Sequence, residues 1–212
     1  PAPSPAKAGG VVVLLCGGRP MPDKPRVKNP RKMTPKRLEN IAIYYCQRFL
    51  TSEAKLAKHL ENRLFREVAD AQERVEFAKE IPAIVKKLAG AGLANDREAA
   101  SAKLRGALRS GYARKAAVAV AARSARVDRE IVEAELAEAA RDALPDIDFE
   151  NLDRREEGAA LATESLRRAR RGPWRPRGQD ETTKRRDIAW LQRRGFGFED
   201  IRSAMDIDFL EE

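Results

Sequence analysis

A chain of 212 residues with 42% hydrophobic and 35% charged side chains is long enough to bury a core in one or two domains and is not disordered throughout. Two cysteines and one histidine exclude a disulfide framework, a His-rich metal site and a His–His acid/base pair, and no apolar run approaches the ~20 residues of a membrane span. The net charge of +9 is uneven: residues 1–33 hold 7 Lys/Arg against 1 acidic residue, residues 34–164 balance at 23 each, residues 165–194 hold 11 against 3, and residues 195–212 hold 1 against 6.

Residues 1–33 are rich in Pro, Gly, Lys and Arg without a helical or strand period, which predicts a disordered basic tail. The apolar patch at 11–15 is too short for a signal-peptide core, Leu15 is not the small residue that a lipoprotein cleavage before Cys16 needs, and Met21 is a candidate start of translation.

From Thr34-Pro35, a cap followed by proline in the first turn, Leu38, Ile41, Ala42, Tyr45 and Phe49 recur at helical spacing. Thr51 and Ser52 start a second helix with Leu56, Leu60, Leu64 and Val68 on one face. A third runs from near Val75 through Phe77, Ile81, Ile84, Val85 and Leu88, with Pro82 either interrupting it or marking its first turn, and ends at Gly90 and Gly92. Asn95-Asp96 caps a helix carrying Ala99, Leu104 and Leu108; Tyr112 opens an alanine-rich one; Asp128 caps one that buries Ile131, Val132, Leu136 and Ala139. After an acidic loop at 145–154, helices follow over 155–170, from Thr182 to Gly195, and from Glu199-Asp200 onward, with a Pro/Gly/Arg loop at 172–181 holding Trp174. No stretch carries a period-2 pattern, so the fold class is all-α.

An internal repeat organises these helices. Val127, Val132 and Leu136 match Phe196, Ile201 and Met205 in spacing, each set preceded by an arginine, Arg126 or Arg194. The leading apolar residue folds back on the helix that it introduces, as in a hydrophobic staple. Residues 80–93 form a degenerate third copy. Nine helices in three tandem three-helix repeats, stacked into an extended, curved body, is the economical arrangement; one irregular bundle is the alternative. The expected divisions are the tail 1–33, repeat 1 at 34–93, repeat 2 at 94–144, and an acidic loop with repeat 3 at 145–212.

Nothing assembles an active site. No nucleotide-binding loop is present, Gly195-x-Gly197 reads as a helix-joining turn, and Cys46 and His59 lack companions for a metal, so no catalytic residue, metal or cofactor is expected. The arginine block is the candidate binding site: Arg167, Arg168, Arg170 and Arg171 end one helix, Lys184, Arg185 and Arg186 begin the next, and Arg193 and Arg194 lie two turns on. Helix-dipole compensation accounts for about two of the first four, but Lys184–Arg186 are expected to oppose the dipole. Such a block asks for a polyanion or an acidic protein surface, unless it is only a solvated face. Arg105, Arg109, Arg114 and Lys115 are the secondary candidates. Trp174 can stack on a base or partner side chain or pack under its own loop.

The chain resembles the RecX family of bacterial regulators of the RecA recombinase. The resemblance covers roughly residues 36–206 and rests on Gly92-Leu93-Ala94-Asn95-Asp96 with Arg97, Glu98 and Ala99; on Arg109-Ser110-Gly111-Tyr112; on Arg126-Val127-Asp128 with Ile131 and Val132; and, most specifically, on Arg193-Arg194-Gly195-Phe196-Gly197-Phe198-Glu199-Asp200-Ile201. Residues 66–76 stretch the first repeat, Arg126 stands where a glycine is usual, and the loop 171–181 is longer and richer in arginine than the pattern. The resemblance implies a modular, crescent-like cytoplasmic protein of three repeats, monomeric and without enzymatic activity. It implies binding to RecA and to the groove of its filament on DNA, with inhibition of RecA's ATPase, strand exchange and co-protease functions. A stand-alone basic protein that grips nucleic-acid phosphates, or an RNA- or ribosome-associated factor, are the competing expectations.

Overall fold

Every regular element among the described residues is helical in the computed structural model, which describes residues 32–205. The expected disordered tail lies, up to residue 31, outside the described residues. Met33, at the end of that expected tail, is buried, 4% exposed, in the first hydrophobic cluster.

Three helices build that cluster. In α1 (Pro35–Arg48), Thr34 accepts from the Arg37 N–H, and Leu38 and Ala42 turn inward. In α2 (Glu53–Glu67), Ser52 accepts from the Lys55 N–H, and Leu56, Leu60 and Leu64 form the buried stripe. Each fully buried leucine contributes ~1.5–3 kcal/mol of apolar transfer. In α4 (Ile81–Gly90), Ile81, Ile84, Val85 and Leu88 face the same interior.

The expected single third helix is instead two, α3 (Ala71–Ala78) and α4. Pro82 has no N–H to donate to Ala78, and its ring would strike that carbonyl, so the chain breaks before it and uses the proline in the first turn of α4. Helix α3 buries no residue, and Val75, expected on an apolar face, is exposed.

The second cluster runs from α5 (Asp96–Arg109) through α6 (Arg114–Ala125), α7 (Arg129–Ala134), α8 (Leu136–Ala143), α9 (Arg154–Ala169), α10 (Glu181–Arg193) and α11 (Phe198–Met205). Alanines at 100, 107, 117, 121 and 125 are buried between α5 and α6, where small side chains let the backbones approach. The one helix expected after Asp128 is divided at Glu135 into α7 and α8, so the expected nine helices become eleven among the described residues. The apolar side chains of those residues gather in two clusters, and the expected second and third repeats share one of them.

The two clusters meet at a polar seam. The Asn95 N–H donates to the Thr51 carbonyl at 3.0 Å, the Glu53 N–H donates to Asp96 at 2.8 Å, and the buried Ser52 hydroxyl donates to the Ala125 carbonyl. Ser52 therefore caps α2 and closes the end of α6 at once.

Val127 and Phe196 are both buried one residue ahead of an N-cap position, with Val132 and Ile201 buried at the fourth helical position of α7 and α11. This is staple geometry twice. Gly197 donates its N–H to Asp200 at 3.0 Å, which fixes the entry to α11. Phe196→Ala is expected to lower stability by about 3 kcal/mol in a urea titration, as a buried large-to-small change. A loss under about 0.5 kcal/mol, the range of ordinary surface changes, would remove Phe196 from the core.

Candidate partner-binding surface

The arginine block divides into side chains that the fold uses and side chains that it leaves facing outward. At the end of α9, Glu164 is buried and accepts from Arg167 at 2.6 and 2.8 Å and from Arg168 at 2.5 Å. The hydrogen bond from Arg167 is the main reason that its carboxyl titrates below the usual carboxylate range, against the opposing effect of burial. These two arginines neutralise an acid that packing requires to be buried.

A tighter clasp holds the loop that follows. Arg171 and Arg175 flank the 3-10 turn Gly172–Trp174, and both reach Asp187 of α10. Asp187 is fully buried and accepts from Arg171 at 2.9 Å, from Arg175 at 2.7 and 2.8 Å and from the Gly172 N–H at 2.8 Å. Burial pushes its pKa up, but the hydrogen bonds from Arg175, the Gly172 N–H and Arg171 outweigh it and hold the carboxyl at about 2.

Arg194, expected to face outward, is half-buried and joins two helix connections. Its guanidinium lies 3.8 Å from the centre of the Trp190 ring and 5.5 Å from that of Tyr112, and its Nε donates to the Ser110 carbonyl at 3.2 Å. Its own carbonyl accepts from the Ala113 N–H at 3.0 Å. Burial, first of all, lowers its pKa.

Lys184, Arg185 and Arg186 do not open α10. Asp180 caps the helix, accepting from the Thr183 N–H at 2.6 Å, and Glu181 fills the first turn, so the three cations occupy the second turn. The expected conflict with the helix dipole is therefore largely relieved by the acids before them. Asp187 and Leu191 turn inward, while Arg185, Arg186, Gln192 and Arg193 are exposed beside a half-buried Ala189. Glu181, Thr182, Arg185, Arg186 and Ala189 line a shallow groove of about 380 Å³.

The side chains of Lys184, Arg186, Arg193 and Arg170 make no hydrogen bond or salt bridge among the described residues, and that of Arg185 has only an exposed pair with Glu181 at 3.3 Å. Trp174 is 37% exposed. In the secondary group, Arg105 is bound to Ser101 and Asp142, Arg109 to the Asp142 carbonyl and Arg114 to Glu157, which leaves Lys115 exposed without such a partner.

Sequence reasoning passed over Asp187, Glu164 and Trp190 as the groups that engage half of the block. One signal was available: Asp187 shares its helical face with Leu191, and an acid on an apolar face demands cations. Among the described residues no three His, Cys, Asp or Glu side chains are grouped to hold a metal ion, and no helix is long and apolar enough to cross a membrane. Cys46 is half-buried with its thiol pKa pushed up by that burial, and His59 stacks on Tyr45 with ring centres 3.9 Å apart.

No family model matches the chain. It is 32% identical over 190 residues to the regulatory protein RecX of Myxococcus xanthus (strain DK1622), an alignment covering 87% of this chain and 94% of that protein.

Proposed function

The chain belongs to the RecX family, and we propose on that premise that it is a non-enzymatic regulator that binds RecA and RecA's filament on DNA. In this reading it inhibits RecA's ATPase, strand exchange and co-protease activities and so modulates recombinational repair and the SOS response. It acts in the cytoplasm, as a monomer built of three tandem helical repeats; the matched staples of Val127 and Phe196 support the repeats.

One observation carries the choice of surface: Arg185, Arg186 and Arg193 stand exposed on one side of α10, with Lys184 and Arg170 near them in sequence, and none is held by a buried acid. A RecA filament offers acidic protein and DNA phosphate together, and guanidinium groups pair bidentately with either.

The test compares binding to bare DNA with binding to RecA-coated DNA at two salt concentrations. Preference for the coated filament that persists at the higher salt, with inhibition of RecA's ATPase, is the expected result. Equal binding to both, falling with salt as counterion release requires, would instead make the chain a stand-alone nucleic-acid-binding protein.

A further inference from the structure

The arginine-rich face has an acidic counterpart in the same chain. Residues 206–212, which follow the last described residue, read Asp206-Ile207-Asp208-Phe209-Leu210-Glu211-Glu212, with four acids, three large apolar side chains and no cation. Their point of departure is fixed. Helix α11 stops at Met205, which is buried. A Cβ placed on Gly172 would meet the Met205 sulfur at 3.1 Å, and the Gly172 N–H donates to Asp187 at 2.8 Å. The chain therefore leaves α11 beside the clasp around Asp187, the residue that follows Arg186 in α10.

The outward side of α10 suits such a segment. Thr182, Arg185, Arg186, Ala189 and Arg193 recur at helical spacing and form one stripe, and the first four line the groove of about 380 Å³ together with Glu181. Glu181 is the one acid in that lining, and its pair with Arg185 is exposed on both sides, so an incoming carboxylate displaces little. Reach is sufficient: seven residues span up to about 23 Å, whereas a helix with its side chains is about 10–12 Å across. Carboxylates of the segment complement the guanidinium groups, and an apolar side chain beside them covers Ala189 and the arginine stems. A tether this short also holds the segment at an effective concentration on the order of millimolar, so contacts that are weak one by one are occupied together.

We propose that residues 206–212 dock in cis along the outward face of α10, with carboxylates on Arg185 and Arg186 and an apolar side chain over Ala189, and compete there with the acidic surface of a partner. The α10 face is thus masked by its own chain, and a partner engages it by displacing the segment. The competition rests on the partner role proposed for this face; the docking does not.

The probe is a fluorescein-labelled peptide of residues 206–212, followed by anisotropy with the full chain. The variant D206N/D208N/E211Q/E212Q is expected to bind the peptide about fivefold or more tightly than wild type, because its own segment no longer fills the groove. F209S/L210S, which keeps every charge, is expected to gain in the same direction. Adding R185A/R186A to either variant is expected to abolish the gain. Equal peptide binding by wild type and both variants, or no binding by any, overturns the docking. So does a gain that survives R185A/R186A, which would report overall charge alone. A dimeric wild type beside a monomeric four-acid variant would place the segment on a second copy and overturns docking in cis. The same variants on RecA-coated DNA separate the two readings. A gain of about threefold or more in filament affinity supports the competition. A gain in peptide binding alone overturns the competition, and with it the α10 face as the RecA contact, while the docking stands.

Discussion

Asp187→Asn is expected to destabilise the protein by about 3 kcal/mol, the lower end of what breaking a buried ion pair costs. The lower end applies because Arg171 and Arg175 are 33% and 25% exposed and can turn partly toward water once their acid is gone. The change keeps the volume of the side chain and one acceptor for the Gly172 N–H, and it sets an amide NH2 against the Arg171 and Arg175 donors, so the loss reports the charge together with those hydrogen bonds. It also carries a pH signature. The carboxyl titrates at about 2 in the folded chain, below its ordinary value. Its contribution is therefore complete above the unfolded value of about 3.9 and is lost as pH falls from there toward 2, for a total of roughly 2.5 kcal/mol. Urea titrations of wild type and variant between pH 5 and pH 2.5 are expected to converge as the pH falls. Parallel curves would mean that the clasp does not depend on the ionised acid.

The complementary experiment leaves stability alone and removes binding. Arg185, Arg186 and Arg193, all changed to alanine, are expected to leave the melting curve nearly unmoved. The only salt bridge lost among the described residues is the exposed Arg185–Glu181 pair, and such pairs contribute only ~0.3–0.5 kcal/mol. Binding to the RecA filament and inhibition of its ATPase are expected to weaken roughly tenfold, with a shallower salt dependence, because several exposed contacts on one face are lost together. The informative contrast is Arg167→Ala with Arg168→Ala, which strips Glu164 of both guanidinium partners. That pair is expected to lower stability first and binding only as a consequence. Wild-type inhibition by the folded α10 variant would remove this face from the partner contact and leave Arg109 and Lys115, the exposed cations of the secondary group, to test.

Much of the fold was legible because local signals were strong. Thr34, Ser52 and Asn95 each cap the helix that their position announces. Val127 and Phe196 were identified as core by a spacing alone, since a staple is a contact within one short segment. Pro82 was legible as a choice between two outcomes, and the chain adopts both, a break before it and a first turn of α4 that contains it. The candidate site was less legible. Eleven cations over 30 residues looked like one surface in the sequence, and charge alone cannot say which of them meets an acid from a neighbouring helix.

The sequence by itself determined the helical class, the capping positions, the apolar stripes and the likeness to the RecX family, because each is written in residues a few positions apart. Tertiary structure decided the rest. It pooled the apolar faces from α5 to α11 into one cluster, carried Asp187 into the interior where two arginines and a backbone N–H must neutralise it, and set Arg194 against the rings of Trp190 and Tyr112. The physical reason is desolvation: whether a charge is structural or free depends on what covers it, and the covering residues come from helices distant in the chain.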